Sequence, residues 1–206
     1  MAKAFPVRSV GEISSVSLPD SVLEASDTFA FPFENAGYTR DGTIITARVE
    51  AKTEPQTPLM RVLEDSADES FFISEDKLPK WEYLKGAKKV SRTAANGHKY
   101  IFSEGAIPFP DPTDKPARTM LTSEGTVNRS SHVVRDRATG KLRKLTPVEV
   151  ERLDGFDDDW TLHTVNGDMP TRMRYFCMGN ALVVPMIARM GKVLDEIVAD
   201  EQYKGN

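Results

Sequence analysis

Arg172 to Ile197 reads RMRYFCMGNALVVPMIARMGKVLDEI and holds the single cysteine, Cys177, two residues before a Gly179-Asn180 pair. A thiolate there could act as a nucleophile, and a Gly-Asn pair could admit a ligand close to the backbone. Cys177 lies between Phe176 and Met178, and a thiol in apolar surroundings is ordinarily a small buried hydrophobe. Asp157, Asp158 and Asp159 invite a metal ion, but three successive acids on a loop cannot all face one ion. One cysteine and three scattered histidines give no zinc spacing and no internal disulfide. No metal site is expected.

The chain that must position these residues has 206 of them, 39% hydrophobic and 28% charged, with a formal net charge of -4. That is enough to bury a core in one domain or two small lobes. The longest near-apolar run, Ala181 to Ala188, is far shorter than the ~20 residues that span a bilayer, and no charged-then-apolar leader opens the chain. The expectation is a cytoplasmic protein with no membrane partner. Charge is unevenly spread. Glu64 to Asp76 carry six acids and no bases, whereas Lys85, Lys88, Lys89, Arg92 and Lys99 follow without an acid between them. Lys115 to Arg152 hold nine Lys or Arg against four acids. An acidic total therefore leaves room for a nucleic-acid partner.

The first 21 residues are mostly polar, sustain no period and read as loop. Gly42 to Glu50 alternates as a strand. Thr57-Pro58 should open a short helix, ESFFIS a short strand, and the segment after Pro79 a helix ending near Gly86. Four of the 13 prolines fall in SEGAIPFPDPTDKPA, which reads as a loop between halves. RTMLTSEG should be a strand, and HVVRDRATGKLRKL a hairpin turning at Gly140. TPVEVERLDGF carries a capping box, with Thr146 as cap, Pro147 first and Glu149 three residues after the cap. The last helix places Val183, Ile187, Met190, Leu194 and Ile197 on one stripe.

RKLTPVEVERLDGFDDDW, Arg143 to Trp160, resembles the ninth conserved motif of DNA cytosine-5 methyltransferases, R-x-L-T-x-x-E-x-x-R-L-x-G-F-P-x-x-W. RYFCMGNALVVPMIARMG, Arg174 to Gly191, resembles their tenth, an aromatic then x-x-G-N-(S/A)-V-x-V-P and an amphipathic helix. Asp157 replaces the usual proline and Leu182 the usual valine. KPARTMLTSEG is similar to the recognition-domain strand with a Thr-(Leu/Ile) pair, here Thr119-Met120. AKAFPVRS and FPFENAGYTRDGTI resemble the segment after the eighth motif in bacterial members. The Gly-rich F-x-G-x-G of the first motif and the Pro-Cys nucleophile loop are absent, since the sequence contains no G-x-G and its cysteine follows Phe176. Glu34-Asn35 only superficially matches the family's Glu-Asn-Val motif.

The resemblance implies an α+β chain: a small mixed recognition domain with short strands and a hairpin, then a C-terminal helix that docks on a Rossmann-like catalytic lobe absent from this chain. Residues 1–142 would form the recognition region, and 143–206 the segment joining it to the catalytic, cofactor-binding lobe. Gly179, Asn180 and Ala181 would complete the S-adenosylmethionine site; no catalytic residue lies here. Lys115, Arg118 and Arg129 would supply charge to DNA. Thr119, Thr122, Ser123 and Asn128 would supply short polar contacts, with base readout in SEGTVNRSSH and Arg129 able to address guanine by two bonds. Lys88, Lys89 and Arg92 would meet phosphates, and His98 would be structural. Arg143, Thr146, Glu149 and Arg152 would be structural, the arginines tying the recognition lobe to the hinge. The partners implied are duplex DNA with a flipped cytosine and a catalytic polypeptide carrying the first eight motifs. The function implied is methyl transfer to cytosine carbon 5 in a restriction-modification system, with this chain inactive alone. Two alternatives stand beside it: a non-catalytic, sequence-specific DNA-binding remnant, and an unrelated enzyme using Cys177.

Overall fold

The computed structural model describes residues 5–204, so Ala2–Ala4 of AKAFPVRS lie outside the described residues. It is a mixed α/β chain of short strands and helices that divides into two compact units. One comprises Met1–Pro55 with Arg189–Asn206, the other Gln56–Ala188.

In the first unit, β1 (Val7–Ser17), β2 (Ala36–Arg40) and β3 (Thr43–Ala51) form an antiparallel sheet in the order β1-β3-β2, with helix α1 (Val22–Thr28) between the first two strands. Asp41 and Gly42, at φ 49° and 71°, turn the β2–β3 hairpin. Both central residues are left-handed, as a two-residue hairpin matching strand twist requires, and Asp-Gly is suited to that geometry. The expected loop at residues 1–21 is instead largely β1. Its pattern concealed it because nearly every position is exposed, so neither face demands alternation. Pairing with β3 makes it a strand, with a register shift between Ser9 and Ile13. Asn35 spends both ends of its amide on the Val49 backbone, donating to the carbonyl and accepting from the N–H, each at 2.9 Å. It thus adds a rung to the sheet.

The second unit begins with single 3-10 turns at Leu59–Arg61, Glu69–Phe71 and Glu75–Lys77. The helix expected after Thr57 is only the first of these, and no side chain caps it. The strand expected at ESFFIS reduces to a turn followed by one bridge, Phe72 to Arg143. Helix α2 (Leu78–Lys85) is followed by the hairpin of β4 (Lys88–Thr93) and β5 (Lys99–Glu104). Residues 105–132 contain no regular element. The expected strand RTMLTSEG is irregular through Leu121 and then a run of turns: Glu124 N–H donates to the Leu121 carbonyl, and Thr126 N–H to that of Ser123. Then come the hairpin of β6 (Val133–Arg135) and β7 (Leu142–Lys144), helix α3 (Pro147–Asp154), the two-residue pair β8 (His163–Thr164) and β9 (Gly167–Asp168), and helix α4 (Thr171–Gly179). Helix α5 (Val184–Lys204) continues into the first unit. The second unit's core gathers Leu59, Leu63, Val134, Leu145, Val150, Tyr175 and Met178.

Candidate functional site

Helix α3 is positioned by a buried cluster of charges. Thr146 Oγ1 accepts the Glu149 N–H, and Glu149 accepts the Thr146 N–H at 2.8 Å, the reciprocal capping box. The Glu149 carboxylate also receives Arg143 by two bonds, at 2.8 and 2.7 Å, and the backbone N–H of Glu64 at 2.9 Å. Arg143 donates its Nε–H to Asp136 at 3.1 Å and is fully buried. Burial opposes the guanidinium charge, but Glu149 and Asp136 more than offset it and hold the Arg143 pKa above its ordinary value. One residue thus joins the turn of the β6–β7 hairpin to α3. Arg152 grips Asp158 by two bonds, at 2.7 and 2.6 Å, and the Val62 carbonyl at 3.1 Å. Asp159 goes to a different arginine, Arg174, which also holds Glu151. The acidic run is divided between two cations.

The loop before β6 shows which of its polar residues can still meet a ligand. Arg118 donates to Asp111 at 2.7 Å and to the Ser130 carbonyl at 3.0 Å. Arg129, a residue able to address guanine by two bonds, donates here to the carbonyls of Leu84, Gly86 and Gly105. Its guanidinium fastens the base of the β4–β5 hairpin to the loop, so these bonds would have to break before it could pair with a base. Asn128 accepts the Ser130 N–H at 2.9 Å in a local turn. Lys115, Thr119 and Thr122 are exposed and Ser123 is half-buried. On β4, Lys89 and Arg92 are exposed, although Arg92 lies over the Phe102 ring, while Lys88 is half-buried and pairs with Glu104. His98 stacks on Tyr100.

Beneath the loop lies a second buried cluster that spacing in the sequence does not reveal. His132 Nδ1 is 2.9 Å from Glu124, and both residues are buried. Lys85 donates to the Ser131 carbonyl and lies 3.9 Å from Asp111. Burial pulls the Lys85 ammonium down to about 8, against the pull of Asp111. These partners are 8 to 46 residues apart in the chain, and only folding brings them together.

Gly179 closes α4 where the loop crosses it. A Cβ built on Gly179 would stand 2.2 Å from the Thr122 nitrogen and 2.5 Å from the Leu121 carbonyl carbon, so no side chain fits. The space that glycine opens is filled by the chain's own loop. Asn180 is exposed and donates to the Phe176 carbonyl at 2.9 Å. Of the expected cofactor contacts, Asn180 is thus the side chain that presents itself, and Gly179 is the residue that sets the loop against the helix. Cys177 is half-buried, packs on the core and has Met169 sulfur at 3.9 Å as its polar neighbour. Among the described residues no basic side chain hydrogen-bonds to its sulfur.

Two cavities flank this crossing. One of about 560 Å³ is lined by Thr57, Thr119, Met120, Asp154, Gly179 and Pro185, among others. The other, about 990 Å³, is lined by Phe71, Thr122, Ser123, Lys144, Arg172 and Phe176, among others. Asp154 is the feature sequence reasoning missed. It is 7% exposed, one of its oxygens meets no partner among the described residues, and burial pushes its carboxyl up to about 6. Among the described residues no cluster of His, Cys, Asp and Glu could hold a metal ion, and no helix is long and apolar enough to cross a membrane.

The profile of the C-5 cytosine-specific DNA methylases matches residues 21–196. Type II methyltransferase M.Sau3AI of Staphylococcus aureus is 42% identical over 199 residues, which are 95% of this chain and 47% of that protein. The chain therefore spans about half the length of the curated relative it matches. Among solved structures, the S. pombe Dnmt2 methyltransferase overlaps 76% of this chain and 51% of its own, at 17% identity and a TM-score of 0.47. The Entamoeba histolytica methyltransferase EhMeth overlaps 91% of this chain and 54% of its own, at 15% identity and 0.48.

Proposed function

The chain belongs to the C-5 cytosine-specific DNA methylase family, and from that premise we propose that it is the DNA-recognition and cofactor-site-completing portion of a restriction-modification methyltransferase. Cytosine cannot be attacked inside a stacked duplex, so such an enzyme must hold opened DNA around a flipped base while another lobe does the chemistry. S-adenosylmethionine, when bound, supplies the methyl group transferred to cytosine carbon 5. Residues 1–142 serve recognition and 143–206 join that region to the lobe bearing the first eight motifs. Lys115, Thr119, Thr122 and Ser123 contact DNA. Arg118, Asn128 and Arg129 act through the loop they shape rather than on bases. Asn180 and Ala181 reach the cofactor, with Gly179 setting their distance from the loop. Arg143, Thr146, Glu149 and Arg152 keep α3 in place beneath both.

The observation that best supports this reading is the contact of Gly179 with Leu121–Thr122. It brings the segment resembling the tenth motif against the loop proposed to read DNA, so one rigid crossing serves both cofactor and target. The sequence carries neither the Gly-rich cofactor loop nor a Pro-Cys nucleophile, so the purified 206-residue chain should transfer no methyl group. The test is transfer of tritium from labelled S-adenosylmethionine to duplex DNA, by the chain alone and after mixing with a polypeptide carrying the first eight motifs. Activity only in the mixture is expected. Methylation by the chain alone would sink the proposal, and DNA binding without methylation in the mixture would favour the non-catalytic remnant.

A further inference from the structure

We propose that the cavity at the C-terminal end of α3 is a socket for an arginine or lysine side chain from the polypeptide that completes the methyltransferase, with Asp154 as its ion-pair partner. This rests on the reading above. The other buried acids of this unit show why Asp154 stands apart. Glu149 holds Arg143, Glu151 holds Arg174, Asp136 holds Arg143, Asp111 holds Arg118, and Glu124 faces His132. Glu151 also leaves Oε2 without a partner, but its Oε1 holds Arg174; Asp154 is buried as they are, yet no cation pairs with it and no hydrogen bond reaches its Oδ2 among the described residues. Its carboxyl is ionised at neutral pH despite burial, and a charge so placed is costly until something answers it.

The cavity's own cations cannot answer it. Arg118 is committed to Asp111 and two carbonyls, and Arg152 to Asp158 and the Val62 carbonyl. On α3 itself the preceding acid, Glu151, is already met by Arg174 and Thr161. Hence the missing group must come from outside. A DNA phosphate would be repelled by Asp154 and would find both arginines occupied. A long cationic side chain fits on both counts. Its methylenes would lie on the apolar lining of Val62, Met120, Leu153 and Met178, and its head would reach the carboxylate.

The surroundings point to a protein occupant. Val183 and Pro185 line the cavity, and Leu182 and Val184 beside them are exposed apolar residues, so the socket opens beside an apolar edge. The S. aureus relative is about twice the length this chain matches, so ample further polypeptide belongs to such an enzyme.

The experiment uses the part of the S. aureus relative that this chain does not match, produced as a separate polypeptide. Its affinity for this chain is measured by calorimetry from pH 5 to pH 8, for wild type and for Asp154→Asn. Wild type should bind at pH 7.5 and weaken several-fold below about pH 6, as the carboxylate is protonated. Asp154→Asn should bind at least tenfold more weakly at pH 7.5, with a flat profile between pH 5 and 7. Carbon-13 NMR of the Asp154 carboxyl should show its pKa falling below the carboxylate range in the complex, a change that a merely structural acid would not undergo. Equal affinity and equal pH dependence for the two proteins, or a pKa that does not fall, would overturn the socket and leave the proposed function standing. No complex with wild type would overturn both.

Discussion

The two ends of helix α3 treat charge in opposite ways. At its first turn, Glu149 is fully buried yet takes hydrogen bonds from Arg143, Thr146 and Glu64, so each of its oxygens is answered within the chain. At its last residue Asp154 is buried to a similar degree, and its Oδ2 meets no partner among the described residues. Four residues of helix, Val150 to Leu153, separate a structural acid from one that the fold leaves incomplete. Burial alone does not tell the two apart; the supply of donors does. A carboxylate that completes its own network explains itself, whereas one that does not marks where the molecule expects company.

The comparison can be broken or sharpened by substitution. The largest effect is expected for Glu149→Ala, which leaves the buried Arg143 with Asp136 as its one carboxylate partner among the described residues and removes the Glu149 half of the capping box of α3. A loss of about 3–5 kcal/mol in urea unfolding is expected, and a loss below about 1 kcal/mol would mean the first-turn network is not what holds the helix. Gly179→Ala drives a Cβ into the Thr122 backbone and should cost about 1–3 kcal/mol, with the loop displaced and DNA affinity falling with it; an unchanged melting temperature and unchanged DNA binding would show that the loop yields freely.

Asp154→Asn should act in the opposite direction on the isolated chain. The folded pKa of Asp154 is raised to about 6 from 3.8, so its contribution favours folding below the unfolded value and is lost as pH rises through about 6. The variant should therefore be more stable than wild type at pH 7.5, by of order 1–2 kcal/mol, with the difference vanishing near pH 4. Unfolding midpoints across that range decide the matter. Thr146→Ala is expected to cost about 1 kcal/mol, the ordinary value of a helix cap. Cys177→Ser should change methylation by the reconstituted enzyme least of all, because among the described residues no basic side chain hydrogen-bonds to the thiol; abolished activity in a folded variant would restore it as a nucleophile.

What could be read from the sequence was what is local. Thr146 and Glu149 are three residues apart, so the capping box is written in consecutive letters, and the β6–β7 hairpin and α5 are signalled by a turn and a stripe of similar reach. The strand β1 was illegible because exposed pairing needs no alternation. Asp41-Gly42, a two-residue hairpin signal, is equally local. RTMLTSEG has strand-like composition, but Gly179 presses on its backbone from more than fifty residues away and Glu124 takes the Leu121 N–H, so tertiary contact overrode propensity. Arg118 and Arg129 look like DNA readers by type and turn out to be fastened within the chain. Their acceptors are backbone carbonyls and one aspartate, which no spacing rule foretells. Asp154 had no signal at all, since an absent donor leaves no trace in a sequence.

The crossing of Leu121–Thr122 over Gly179 bears on how the specificity of such proteins can be re-engineered. A loop that rests backbone against backbone on a helix end is not an independent module. Grafting residues 117–132 from a relative would import a loop shaped to someone else's seat. Under the proposed role of the loop in reading DNA, the transferable cassette would be the loop together with 171–181, and hybrids that divide the two should lose order at the graft before they acquire a new target.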